Sequence, residues 1–384
     1  MQTSTAILAL ACLASAFAVQ YQSHPKSFAS RAAPTTGPNS TCQCNFQKVW
    51  IDVVFVLDSS NAIQSDGLAQ GIAFIQSSLA NLNRDPTVDS FFYSRTAVIS
   101  YAKTAKTVIP FGKYLGVDDL FDPANPLNSI TLSGGMETNL TAAADAAIDI
   151  LNKATGRGAR QVIVVIASAF NPKDELKVLE QFKTDKNVLI VVDYVQPGQE
   201  IDNGLLNISS TGFNFVNSLK PGQSSLTFKD LNTAFCDANC FCPKGLSPYS
   251  AQNQYGRETA GGGCYNPVNL AAIQPAASNA CKKQKAILST VHDTAKQTFL
   301  ASLQANGAQY FLGYKRSAGK YTWDDGSTST YTNFCNGTPD SSDGDCVYVT
   351  SKKCWGPAQC YSEAFWYVCQ AQACDSTYNC LTNN

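Results

Sequence analysis

Between residues 50 and 236, apolar and polar positions follow a strand-then-helix rhythm. Val53-Val54-Phe55-Val56-Leu57 is an unbroken apolar run, the pattern of a strand buried on both faces of a parallel sheet. An amphipathic stretch from Leu68 to Leu82 predicts a helix behind it. Thr96–Tyr101 and Thr107–Phe111 are β-rich runs with a brief polar connection, which predicts a hairpin. Leu140 to Leu151 (LTAAADAAIDIL) predicts a second helix, and Val162–Ile166 a second buried strand. Pro172 stands at an N1-like position, so a third helix is expected over Lys173–Phe182, followed by a strand at Val188–Val192. This alternation predicts a doubly wound α/β sheet over residues 48–236. After Cys236 it stops, and cysteine, glycine, tyrosine and asparagine rise, so residues 237–384 form a second unit of different construction.

Composition narrows the class. Lys+Arg number 28 and Asp+Glu 29, so a net charge of -1 offers neither a basic field for nucleic acid nor a polyacidic tail. Only 15% of residues are charged while 44% are hydrophobic, which excludes a disordered chain and suits one kept soluble by Ser, Thr, Asn and glycans. Cysteine numbers 15, an odd count for an oxidised protein.

The amino terminus resolves that oddity. Ala6 to Ala14 is apolar without interruption, and Ala16-Phe17-Ala18 supplies the small residues of a signal-peptide cleavage site, so residues 1–18 are expected to be removed. The run is too short to span a bilayer, and no later segment spans one. Cys12 leaves with the signal peptide, making the remaining count even, and the mature chain reads as secreted and extracellular. Residues 19–47, with Cys42 and Cys44 near their end, read as a Pro/Ser/Thr/Ala linker. Asn-X-Ser/Thr sequons at Asn39, Asn139, Asn207 and Asn336 are candidate N-glycosylation sites. No cysteine falls between Cys44 and Cys236, so the first unit folds on apolar burial, and Cys42, Cys44, Cys236 and Cys240 can form two bridges across its base. Zinc at Cys42-X-Cys44 is the rival reading, which an oxidising compartment disfavours.

The first strand ends in Asp58-Ser59-Ser60-Asn61-Ala62, and Gly134-Gly135-Met136-Glu137-Thr138 precedes a helix. With the six-strand layout, these residues resemble a von Willebrand factor A domain. That family builds a metal-ion-dependent adhesion site from Asp-X-Ser-X-Ser, a loop Thr and an Asp ending the fourth strand. Asp58, Ser60 and Thr138 match; Ala62 replaces the second serine, and the later Asp falls in Ala167-Ser168-Ala169, with Ser168 nearest. The resemblance therefore implies a degenerate Mg²⁺ or Ca²⁺ site, short of one hydroxyl and one carboxylate. A glycan on Asn139, beside Thr138, would stand over the ligand face.

The second unit resembles a long-form C-type lectin-like domain, an α+β disulfide-rich fold. The matching residues run in order: Cys242-Pro243 and Cys264-Tyr265, Ala280-Cys281-Lys282, Ala286 to His292, Phe311-Leu312-Gly313-Tyr314, Tyr321 to Ser327, Asp345-Cys346-Val347, Trp355, Cys360 and Trp366-Tyr367-Val368-Cys369. The domain core is expected at 242–370, with a short cysteine-containing tail. The resemblance implies disulfides Cys242–Cys264, Cys281–Cys369 and Cys346–Cys360, and leaves the pairing of Cys335, Cys354, Cys374 and Cys380 open. Closing the long Cys281–Cys369 loop would contribute roughly 4–5 kcal/mol on the chain-entropy account. Family lectins bind sugar through Ca²⁺ held by a Glu-Pro-Asn or Gln-Pro-Asp loop and a Trp-Asn-Asp strand. Here the loop is Thr338-Pro339-Asp340 and the strand Trp355-Gly356-Pro357, so Asp340 is the surviving candidate ligand. Asp343 and Asp345 are nearby carboxylates, and the Asn336 sequon lies in the same loop.

Catalysis has few candidates. His24 lies in the linker and His292 in an expected helical segment, and no Gly-X-Ser-X-Gly elbow accompanies them. Asp324 and Asp325 precede Gly326 as turn residues, and Gly261-Gly262-Gly263 reads as a flexible loop. The resulting expectation is a secreted, non-catalytic recognition or adhesion protein of the invertebrate tandem type, with a possible part in innate defence. Its partner would be a carbohydrate or an extracellular protein, bound without the usual metals through aromatics such as Trp323, Tyr331, Phe334 and Trp355, most of which the resemblance implies are core. A calcium-dependent lectin centred on Asp340, and a matrix or surface-coat component, are the alternatives.

Overall fold

The computed structural model describes residues 42–113, 116–154, 156–172, 174, 176–218, 226–305, 307–337, 339 and 341–381. The expected signal peptide, Asn39, Thr338 and Asp340 lie outside them.

The first unit is built on six strands: β1 (Ile51–Asp58), β2 (Arg95–Tyr101), β3 (Ala105–Ile109), β4 (Arg160–Ala167), β5 (Val188–Val195) and β6 (Asn214–Ser218). Their order is β3-β2-β1-β4-β5-β6, parallel throughout except for the β2–β3 hairpin. Strand β1 is buried along its whole length because helices cover both faces. Val53, Phe55 and Leu57 face a core shared with α1 (Gln64–Asn81), α2 (Asp118–Phe121) and α6 (Phe228–Ala238). Val54 and Val56 face the opposite core under α3 (Leu140–Lys153), α4 (Lys177–Thr184) and α5 (Asn203–Asn207).

Helix α4 departs from expectation by starting at Lys177, with Pro172 in a preceding turn. The Asp174 N–H donates to the Asn171 carbonyl, and Asp174 Oδ2 accepts from Leu140 N–H at 2.9 Å. That carboxylate serves the amino end of α3, beside the Asn139 cap.

The second unit adds β7 (Ser247–Pro248), β8 (Ala251–Gln252), β9 (Glu258–Thr259), β10 (Cys264–Ile273), α7 (Gln274–Lys283), β11 (Ile287–Leu288), α8 (Thr294–Ser302), β12 (Tyr310–Ser317), β13 (Lys320–Trp323), β14 (Cys346–Val349), β15 (Trp355–Ala358) and β16 (Ala364–Ala371). Its main sheet runs β15-β14-β12-β16-β10-β7, with β11 on β16 and β13 on β12. The structure pairs Cys242–Cys264, Cys281–Cys369 and Cys346–Cys360, and adds Cys335–Cys354 and Cys374–Cys380. Cys42–Cys240 and Cys44–Cys236 tie the start of the first unit to its end.

The two units are joined by more than a linker. Arg257 Nη1 donates to Asp237 at the end of α6 at 2.7 Å, and Nε donates to the Gly212 carbonyl at 2.9 Å. Its guanidinium also lies against the rings of Phe213, Phe215 and Tyr255. The carboxy-terminal tail returns to the base of the first unit. There Asp375 accepts from Gln43 N–H, the Trp50 indole donates to the Asp375 carbonyl, and the Asn379 amide donates to the Phe91 carbonyl.

Candidate functional site

In a doubly wound sheet, ligands gather where the strand order reverses, at the carboxyl ends of the strands. Here that point lies between β1 and β4. Asp58 closes β1 and is fully buried. Its Oδ1 accepts from Ser60 N–H at 2.8 Å, and its Oδ2 from Ser168 N–H at 3.4 Å. Burial pushes the Asp58 carboxyl above its ordinary range, against the pull of the hydrogen bonds from Ser60 and Ser168. Ser60 Oγ accepts from Ala62 N–H, and Ser168 Oγ donates to the Tyr194 carbonyl at 2.5 Å. The loop leading to Thr138 is stitched beside them: Asn61 N–H donates to the Gly135 carbonyl and Ser133 N–H to the Ser59 carbonyl, both at 2.8 Å. The expected trio of Asp58, Ser60 and Thr138 thus sits on adjoining loops. It offers one carboxylate and two hydroxyls, with Ser168 as a committed donor where a second carboxylate would stand. The Tyr101 hydroxyl is buried without a hydrogen-bond partner, on the β2 strand beside β1.

In the second unit, the loop after Cys335 is organised by Arg316. Its Nε donates to Asp345 Oδ1 at 2.9 Å, Nη1 to the Pro339 carbonyl and Nη2 to the Gly344 carbonyl, both at 3.3 Å. Asp345 is therefore half of an ion pair. On β15, Trp355 is buried and donates its indole N–H to Gln297 at 2.7 Å, while Gly356 and Pro357 contribute backbone only.

The aromatics are mostly core, as the resemblance implies, and two other expectations need correction. Trp323 and Trp355 are core residues, 4% and 1% exposed, stacked with or edge-on to Tyr314, so they present no face to a ligand. Tyr331 and Phe334 are half-buried against the same cluster. His292 precedes α8 instead of lying in a helix. The Gly261–Gly263 run is a packed turn: a Cβ on Gly262 would strike the Tyr249 ring, and the Gly262 carbonyl accepts from the Tyr265 hydroxyl.

The structure also assembles a group that spacing did not reveal. His292 Nε2 lies 2.8 Å from Asp325 Oδ2 and 3.3 Å from Ser327 Oγ, and His292 Nδ1 is buried without a partner. A nucleophile relay uses both ring nitrogens, one toward serine and one toward aspartate. Both contacts here fall on the same nitrogen, so the arrangement is a buried polar bolt. Burial opposes ionisation of Asp325, but the bonds from His292 and Ser327 outweigh it and hold the carboxyl below its usual range. Beside it, burial pulls the Lys296 ammonium down to about 8, against the attraction of Asp325 and Asp293.

Comparison with known proteins places both units. The von Willebrand factor type A domain family matches residues 52–229, and the C-type lectin domain family matches residues 273–371. The chain carries these two domains in tandem. Across nearly its whole length it is similar to C-type lectin domain-containing protein 160 of Caenorhabditis elegans, 25% identical over 380 residues. That match covers 91% of this chain and 57% of the relative, so the chain spans little more than half of that protein's length. Among solved structures, the lectin domain is similar to the carbohydrate-recognition domain of cow CD23, at 25% identity and TM-score 0.30, covering 34% of this chain and 96% of that one. A calcium-independent type II antifreeze protein matches at 21% identity and TM-score 0.29, covering 34% and 95%. Proximal thread matrix protein 1 from the mussel byssus matches at 14% identity and TM-score 0.38, covering 51% and 47%. An A domain joined to a C-type lectin domain supports a recognition or binding role.

Proposed function

We propose that the protein is secreted and non-catalytic, and that it recognises an extracellular carbohydrate or protein without the metal ions its two domain families employ. The observation that carries this reading is the state of the two donor sets. Mg²⁺ and Ca²⁺ require several hard oxygens with carboxylate charge. The A domain supplies a single carboxylate, Asp58, with the hydroxyls of Ser60 and Thr138, and Ser168 Oγ, where a second carboxylate would stand, donates to the Tyr194 carbonyl, so the set is one carboxylate and one hydroxyl short of what a divalent cation takes. The lectin domain supplies Gly356 and Pro357 in place of side-chain ligands and commits Asp345 to Arg316. Asp340 of the alternative, calcium-dependent reading would have to work without Asp345.

Secretion is supported by the amino-terminal run and by seven disulfides. Asn207 and Asn336 are exposed and available as glycan acceptors, whereas the Asn139 side chain caps α3. Surface recognition in innate defence is the setting this reading implies. A pull-down of glycans and extracellular proteins on the secreted chain, with excess divalent cation or with EDTA, tests it: the same partners should be captured in both. Partners captured only with cation would refute it.

A further inference from the structure

A cleft of about 860 Å³ lies between the A domain and the first hairpin of the lectin domain. Its A-domain wall comes from the amino ends of β4 and β5, opposite to the sheet edge that carries Asp58. The charged side chains lining it are Arg160, Lys183, Lys186 and Lys244 against Asp185 and Glu258. In a chain of net charge -1, that excess of cations is local.

Arg160 is the built element. Its Nε donates to the Lys186 carbonyl at 2.7 Å and its Nη1 to the Cys240 carbonyl at 3.4 Å, while the Phe241 ring lies 6.0 Å from the guanidinium. These contacts hold the fork across the junction of the two domains, and no carboxylate among the described residues pairs with it. Burial pulls this guanidinium down to about 10. Lys183 is spoken for by Glu180 and the Ile208 carbonyl, but Lys186 and Lys244 are exposed and carry no carboxylate partner among the described residues. A half-buried guanidinium lacking a counter-ion is a costly arrangement that an oxyanion relieves, and its planar fork matches carboxylate or sulfate.

The remainder of the wall decides the ligand class. Asn187, Thr211 and Thr259 bring an amide and two hydroxyls to the wall, the partners of a polyol, while Gln161 Nε2 donates to the Leu151 carbonyl and Ser210 Oγ accepts from Leu189 N–H. We infer that this interdomain cleft binds an acidic polysaccharide, with Arg160 holding a carboxylate or sulfate group and Lys186 and Lys244 following the chain. The site goes beyond the proposed function: it depends on neither family metal position, and it is tested in EDTA.

The experiment uses the full secreted protein and measures affinity for heparin, polygalacturonate, neutral dextran, polyglutamate and duplex DNA, compared with one another at the same salt concentration and repeated over a series of salt concentrations. At least one of heparin and polygalacturonate should bind, and the tighter of the two identifies sulfate or carboxylate as the preferred group. Arg160→Gln should weaken that binding about tenfold. Lys186→Gln combined with Lys244→Gln changes exposed residues only, so it reports even where the Arg160 variant does not fold; it should weaken binding and flatten its salt dependence. Glu258→Gln should strengthen it. Failure of both polysaccharides to bind above dextran, or binding unmoved by the cation variants, overturns the inference. Equal or tighter binding of polyglutamate or DNA overturns the assignment to saccharide.

Discussion

The Arg316 guanidinium donates to the Asp345 carboxylate at 2.9 Å and, with its other two nitrogens, to the carbonyls of Pro339 and Gly344. A carboxylate and two carbonyls are the oxygens that a hard cation takes when it orders a loop. In this protein the Arg316 side chain takes them, ordering the loop by hydrogen bonds and an ion pair. Arg316→Gln should speed amide exchange in residues 341–345 about fivefold, equivalent to about 1 kcal/mol, and calcium should not reverse the change. Arg316→Lys keeps the charge without the fork and should recover only part of the protection. Hydrogen-exchange mass spectrometry checks this, and rescue by calcium would show that the loop is a metal site after all.

Asp58 gives a prediction of opposite sign to that of a working metal ligand. Its carboxyl is raised by burial, so the folded state holds its proton more tightly than the unfolded chain does. That contribution to stability is fully present below the ordinary carboxylate range and is lost as pH rises through the raised value. At neutral pH the buried charge is a cost, and Asp58→Asn retains an oxygen for Ser60 N–H. The variant should be more stable at neutral pH by on the order of 1 kcal/mol, measured by denaturant unfolding with and without Mg²⁺. A less stable variant that loses a Mg²⁺-dependent stabilisation of the parent would contradict the donor-set argument.

Asp193, at the end of β5, extends the same logic to a pH profile. Burial raises it to about 6, opposed by the bond from Asp202 N–H. Its contribution is present at acid pH and fades as pH rises from the ordinary carboxylate range through about 6. Asp193→Asn should therefore flatten the pH dependence of the urea midpoint across that window and leave the midpoint above it improved. A profile identical to the parent's would show that Asp193 titrates normally.

Arg257 is the buried link between the domains, its side chain 4% exposed and that of Asp237 18% exposed. Removing one partner of such a pair leaves a charge without a counter-ion, and Arg257→Ala should cost about 3 kcal/mol. Calorimetry should then resolve separate A-domain and lectin-domain transitions where the parent unfolds with the two coupled. An unchanged thermogram would mean that the disulfides and the carboxy-terminal tail hold the junction by themselves.

How much of this was legible in the sequence depended on whether a feature is local. Val53–Leu57, Val162–Ile166 and Val188–Val192 announced themselves because two-sided burial demands an unbroken apolar run. The edge strand Asn214–Ser218 has no such run, because one side of it meets no further strand. Helix α4 starts at Lys177, later than Pro172 suggests, and the contact of Asp174 with the amino end of α3, 34 residues earlier, is one that no window around Pro172 reveals. The core places of Trp323 and Trp355 follow from the family resemblance and not from their letters, since an aromatic side chain reads the same in a core as on a surface. Asp58 and Ser60 were readable from a motif; Arg316, Arg257 and Arg160 were not, since each acts on partners brought close only by the fold.

The central claim is that recognition by this protein needs no divalent cation. The most direct measurement is binding of the secreted chain to glycan and extracellular-protein arrays, run in parallel in calcium plus magnesium and in EDTA, with the thermal midpoint recorded in both. The account predicts the same bound partners at the same strength and an unshifted midpoint. Binding that disappears in EDTA and returns with calcium, together with a midpoint that falls and recovers, would contradict it.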